Sequence, residues 1–264
     1  MGQSGNGRRI RLAGLVLIGL LGISTIATGC VHFTQNTEAE EIEKQAKWHY
    51  EMGRGYFESS DTTHAIRELV QAIELDPEYA EAHYLLGFIY MGRRDYMRAT
   101  RHFRSTLEIN PGYHFAKNNL GTVYLAMERW DEAAELFQEL LDETLYTTPE
   151  LAHNNLGWAY FKMGRHAEAL EHLRMAVFLS PEMCLAENNM AQVYEAMNNL
   201  SDAARHYRRA IEKCPRNYQE PHFRLGRLLQ AQGDPNARAH FRRCIEIQSR
   251  TDMAERCRQF LSVN

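Results

Sequence analysis

Twelve histidines and five cysteines are the side chains of this 264-residue sequence best suited to metal, acid–base or redox chemistry. The histidines lack the company such chemistry needs. No His-Glu-x-x-His, phosphate-cradling Gly loop, Gly-x-Ser-x-Gly elbow or clustered carboxylate pair occurs. His49, His83, His153 and His222 instead recur at one large position of a repeating unit, and His102, His172 and His206 fall in the second half of theirs. A packing or surface role is the expectation, with no enzyme activity, no metal and no cofactor. Beyond Cys30, the cysteines Cys184, Cys214, Cys244 and Cys257 all lie in the last third, without the Cys-x-x-Cys spacing of a zinc site. An even number in an exported chain points to disulfides, with buried free thiols as the alternative.

The elements that position these residues follow from a repeat. Taking Gly157 as anchor, Gly53, Gly87, Gly121, Ala191 and Gly226 match it, at successive spacings of 34, 34, 36, 34 and 35. Tyr56, Tyr90, Tyr124, Tyr160 and Tyr194 lie three residues beyond the anchors, and Ala65, Ala99, Ala133, Ala169 and Ala203 twelve beyond. Pro77, Pro111, Pro181 and Pro215 close four units. A period near 34 means stacked helical hairpins. Small residues at the anchor and twelve beyond let two helices approach, bulky Tyr and Phe fill the gaps, and Pro ends the second helix because it lacks an N–H. One hairpin cannot bury its apolar face alone, so neighbours must stack.

These residues resemble the tetratricopeptide repeat (TPR) over about Ala46 to Ser249. The resemblance implies an all-α fold, a right-handed superhelix of six hairpins across residues 45–250, closed by a capping helix in residues 251–264. In the sixth unit the second-helix Ala and Phe arrive one residue early, as Ala237 and Phe241, which marks a terminal repeat. Thr251-Asp252 supplies the N-terminal cap of the last helix. Repeat geometry favours pairing Cys184 with Cys214, because one opens and the other closes the fifth hairpin. Cys244 and Cys257, on consecutive helices, form the second expected pair.

The N-terminus reads differently. Arg8, Arg9 and Arg11 precede an uncharged apolar run of 17 residues, Leu12 to Thr28, that closes on Ala27-Thr28-Gly29-Cys30. The run is shorter than the roughly 20 residues of a membrane span, and residues 1–29 read as an export signal. Its end resembles the bacterial lipobox, which implies lipid attachment (palmitate among the acyl chains) at Cys30 and a tethered chain. Val31 follows, not the Asp associated with inner-membrane retention, so the resemblance favours the outer membrane with the repeats facing the periplasm. Residues 30–44 read as the lipidated N-terminus and a linker. Loss of three Arg with the signal takes the formal charge from -4 to -7, which argues against a nucleic-acid partner.

TPR first helices carry a packing stripe and a second stripe that faces a concave groove, where partners are held. The groove stripe expected here contains Tyr50, Phe57, Tyr84, Leu85, Phe88, Met91, Phe115, Asn119, Leu125, Asn155, Trp158, Phe161 and Asn189. Asn119, Asn155 and Asn189 occupy a position where related TPRs hydrogen-bond a peptide backbone, but their neighbours are Asn118, Asn154 and Asn188 rather than the Lys or Arg of a carboxylate clamp. Leu145 and Tyr146, in a longer turn before the fourth unit, are expected to form a contact loop. A lipidated six-repeat chain resembles the pilotins of type IV pili, the PilF/PilW/Tgl group, and its Cys-bearing fifth and sixth units look most like Tgl. That implies a monomeric partner of secretin subunits that promotes their outer-membrane insertion and multimer assembly. The alternative is a TPR scaffold for outer-membrane protein assembly or cell-wall enzymes.

Overall fold

The computed structural model describes residues 21–214, 216 and 218–262, with side chains from residue 38 onward. Residues 1–20 of the expected signal, the side chain of Cys30, and Pro215 lie outside the described residues. The described residues form thirteen helices and no strand. They divide into two compact units, one ending at Ala82 and one starting at His83.

The first unit holds α1 (Leu21–Glu58), α2 (Thr62–Leu75) and the start of α3 (Ala80–Gly92). Residues 30–44, expected as the lipidated N-terminus and a linker, lie within α1. Their run of Glu38, Glu40, Glu41 and Glu43 reads as acidic and solvated, but Glu is a good helix former, and the helix continues into Ala46, which is fully buried. No described helix is long and apolar enough to cross a membrane. Asp61 caps α2 by accepting from the His64 N–H at 3.1 Å.

The second unit carries the rest of α3 and then α4 (Tyr96–Ile109), α5 (His114–Ala126), α6 (Trp130–Asp142), α7 (Pro149–Lys162) and α8 (His166–Leu179). It continues with α9 (Cys184–Ala196), α10 (Leu200–Lys213), α11 (Gln219–Ala231), α12 (Ala237–Ile247) and α13 (Asp252–Ser262). Successive helices pair as hairpins, and α13 packs on the last of them. Helices α2, α4 and α8 each stop two residues before Pro77, Pro111 and Pro181. Thr251 caps α13, its Oγ1 accepting from the Ala254 N–H at 3.1 Å.

The anchors explain how closely each hairpin closes. A Cβ on Gly121 would sit 2.7 Å from the Phe137 ring, and one on Gly87 2.8 Å from the Phe103 ring. Both rings are fully buried. Tyr207 lies at the same register in the fifth hairpin, and Phe241 meets Gly226 in the sixth. In each hairpin the chain reverses through one left-handed residue, Ser60, Arg94, Glu128, Gly164, Asn198 and Gly233 in turn. Only two of the six are glycine, so this turn is invisible to a search for Gly.

Both expected disulfides are present. Cys184 joins Cys214 with Cα atoms 5.8 Å apart, and Cys244 joins Cys257 at 6.5 Å.

Candidate functional site: an amide-lined groove

The groove stripe falls in both units. In the first, Tyr50 packs on Tyr79 with ring centroids 5.1 Å apart, and Phe57 is half-buried. In the second, Tyr84 stacks on Tyr113 at 4.9 Å, and burial raises its hydroxyl pKa against the opposing hydrogen bond from Asn119. Phe88 and Phe115 are exposed, Met91 and Leu125 half-buried, and Leu85 buried. Leu85 was expected to face the groove. Its side chain turns into the core instead, whereas Asn189, though buried, still lines the groove. Leu145 stands free at 81% exposure, while Tyr146 folds back edge-on to His114.

The asparagines face one another from hairpin to hairpin. Asn119 Nδ2 donates to Tyr84 Oη at 3.2 Å, Asn155 Nδ2 to Asn118 Oδ1 at 3.4 Å, and Asn189 Nδ2 to Asn154 Oδ1 at 3.0 Å. Asn154 Nδ2 in turn donates to Asn155 Oδ1 at 3.0 Å. In each inter-hairpin step the residue two before one anchor donates to the residue three before the preceding anchor. The ladder breaks at the sixth hairpin, where Arg224 takes the donor position and bonds Glu220 at 2.9 Å. Asn188 is left fully buried, with neither amide atom partnered among the described residues. A buried polar group without a partner costs about 1–3 kcal/mol. Asn154→Ala, which strands Asn189, is therefore expected to lower stability by about 1–3 kcal/mol. Asn188→Ala should stay within about 0.5 kcal/mol of wild type, since the loss of packing is offset by loss of the stranded amide. Urea denaturation of the two variants compares them directly, and equal losses would refute the ladder.

Beside this ladder lies a cleft of about 490 Å³. Helix α7 contributes Asn154, Asn155, Trp158, Phe161 and Lys162, and α9 adds Leu185, Asn189 and Gln192. Helix α11 closes it with Glu220 and Arg224. Trp158 and Phe161 lie 5.2 Å apart, and Lys162 Nζ sits 5.4 Å from the ring centroids of both Trp158 and Trp130. An apolar wall, amides and a cation over aromatic rings suit a peptide or helix face. Glu220 and Arg224 escaped the sequence reading, which ended the groove at the fifth hairpin. The register of Arg224, two before its anchor like Asn119, Asn155 and Asn189, was the available signal.

The histidines also pair in a way their separate positions conceal. His83 and His102 face each other through Nδ1 at 3.1 Å, His153 and His172 at 3.0 Å, and His222 and His240 at 3.1 Å. His49 meets Glu68 at 2.8 Å, and His206 meets Glu187 at 2.7 Å. Burial, reinforced by the partner ring, pushes His102 and His222 down to about 4. Burial lowers His153, His172 and His240 as well. Each His–His contact ties a first helix to its second helix, so the expected packing role holds, but as polar pairs.

Hairpins with small anchors and an amide-lined concave row define a helical-repeat binding scaffold. The repeat family agrees: residues 53–92 match the TPR repeat, and residues 118–183 and 184–217 match tetratricopeptide repeats. The chain is a tetratricopeptide-repeat protein. Among solved structures it is similar to PilW, described as a widely conserved type IV pilus biogenesis factor. That match has 19% identity and a TM-score of 0.70, covering 80% of this chain and 96% of the other. It is also similar to PilF of Pseudomonas aeruginosa, at 20% identity and TM-score 0.66 over 85% of this chain and 100% of the other. MamA of Desulfovibrio magneticus RS-1 matches at 21% and 0.59, over 64% of this chain and 94% of the other. At these identities the likeness is one of fold. No curated protein sequence matches the chain.

Proposed function

We propose that this chain is a non-enzymatic, lipid-anchored pilotin of a type IV pilus, a relative of the PilF/PilW/Tgl group that resembles Tgl in its Cys-bearing fifth and sixth units. Lipid on Cys30 tethers it to the outer membrane, with the repeats in the periplasm. The cleft around Trp158 captures an apolar surface of secretin monomers, and multimer assembly buries that surface and releases the pilotin. The observation that carries this reading is the cleft itself: two adjacent aromatic rings, half-exposed, flanked by amides on a face where TPR scaffolds hold partners. The fold likeness to PilF and to PilW, a type IV pilus biogenesis factor, over most of both chains supports a role in pilus biogenesis.

The test compares outer membranes from cells with and without the gene, blotted for detergent-resistant secretin multimers. Loss of multimers while monomers persist is the expected result, and unchanged multimers would leave an envelope scaffold with another partner. A second comparison locates the site. Trp158→Glu should weaken secretin binding by at least tenfold, the scale of losing a central aromatic anchor, and Phe88→Glu should weaken it too. Both residues are solvent-facing enough to leave the helical content unchanged. Binding retained in both variants would move the site off the groove.

A further inference from the structure

Charge is divided unevenly along this chain. Residues 30–199 carry fourteen Lys and Arg against twenty-seven Asp and Glu, whereas residues 200–264 carry thirteen against seven. The last quarter is thus a net +6 on an acidic protein.

The third and fifth hairpins show where that excess becomes a site, because they carry opposite charges at the same registers. In the third, Lys117 of α5 pairs with Glu143 at 2.6 Å and Glu139 at 3.2 Å. In the fifth, the residue at the register of Lys117 is Glu187, and the residue at that of Glu143 is Lys213, with the pair 2.8 Å apart. Glu139 becomes Arg209, and Glu135 becomes Arg205. The exchange is incomplete in one respect. The second carboxylate oxygen of Glu187 is already held by His206 at 2.7 Å, so Arg209 has no partner among the described residues.

Arg209 opens onto a cleft of about 270 Å³ between α8 and α10, floored by α9. Arg174 and Arg205 share the rim, with Tyr194 and His206 beneath them. Arg174 donates one N–H to Tyr194 Oη at 3.1 Å, and Arg205 pairs with Asp202, so each guanidinium keeps further donors. The carboxylate of Glu187 below is already engaged, ion-paired with Lys213 and hydrogen-bonded to His206. Three guanidinium groups line this one cleft, one of them without a partner among the described residues, and their planar donor forks suit the multidentate demands of phosphate oxygens.

We propose that this cleft binds a phosphate group, with Arg209 as its principal ligand and Arg174 and Arg205 as flanking donors. The phosphate is either that of a glycerophospholipid headgroup or a free ion. The site lies on the second-helix layer and shares no residue with the groove around Trp158, so either can fail without the other.

The test is calorimetric titration of the full, disulfide-bonded chain in nonionic detergent with two probes, inorganic phosphate and monomeric dihexanoyl phosphatidylglycerol. Saturable binding that Arg209→Glu weakens at least tenfold is expected, with circular dichroism confirming an unchanged helical content. Lipid bound at least tenfold more tightly than phosphate identifies the headgroup as the source. Comparable affinities identify the phosphate ion. Absence of saturable binding by both probes overturns the proposal, and so does an Arg209→Glu effect below twofold. An equal loss in Arg242→Glu, which changes net charge identically outside the cleft, would also overturn it by assigning the attraction to overall charge.

Discussion

Replacing Cys184 and Cys214 together by Ser is expected to destabilise the fifth hairpin by about 3.5 kcal/mol, and replacing Cys244 and Cys257 to loosen the C-terminal cap by about 3 kcal/mol. The estimates follow from the chain segments closed, 30 and 13 residues long. A cross-link removes unfolded-state conformations, and the loss grows slowly with the loop closed. The two bonds act at different places. The first clamps the ends of α9 and α10 beside Glu187, whereas the second holds α13 against α12, where Phe260 stacks on Phe241 at 5.3 Å. Because repeat arrays unfold in sections, the measurement is hydrogen exchange of α9 to α13 with and without each bond. Exchange in α13 should accelerate about a hundredfold when the second pair is removed. Unchanged protection would mean that packing of Phe260 alone secures the cap.

Acidification from pH 7 to 5 is the second large effect. His102 and His222 are held at about 4 in the folded chain, whereas an unfolded imidazole titrates near 6.5. Below pH 6.5 the unfolded chain therefore takes up protons that the folded chain refuses. Stability is full above that pH and falls as the pH drops from 6.5 towards 4. Each ring accounts for about 2 kcal/mol at pH 5 before solvent screening, so the two together cost about 3 kcal/mol after a discount for their partial exposure. The pair geometry sharpens this. A neutral pair shares one Nδ1–H between two rings about 3 Å apart, and a second proton there would set N–H against N–H. Urea midpoints at pH 7 and 5 measure the loss, and His102→Gln, which keeps a hydrogen-bonding side chain without titrating, should remove about half of it. A midpoint indifferent to pH would show that the pairs open freely to water.

Much of this architecture was readable because the anchors are governed by sterics. Gly121 faces Phe137 and Gly226 faces Phe241 at distances where no Cβ fits, so each position can be recognised from residue size alone. The cysteine pairs were readable for a related reason, since hairpin register fixes which helix ends meet. The histidine pairs were not. Their members stand 18 or 19 residues apart on different helices, and each is ambiguous alone, because His suits core, surface and site equally. The helix through residues 30–44 was not legible, because that polar, acidic stretch lies outside the repeat and carries no apolar periodicity. Leu85 shows the limit of assigning faces from a helical wheel: adjacent stripes differ by one residue, and neighbouring helices decide which stripe is covered.

The opposite charges of the third and fifth hairpins bear on how the chain finds its own register. Both hairpins have the same backbone plan, so sterics alone would let α5 pair with α10, or α9 with α6. Such a mispaired hairpin would set Lys117 against Lys213, or Glu187 against Glu139 and Glu143, in a partly dry contact where like charges repel. In these two hairpins the first helix thus carries the complement of its own second helix. The polarity of a few partly exposed ion pairs distinguishes neighbours that are otherwise near-copies, and in a repeat array it guards against domain-swapped or out-of-order assembly.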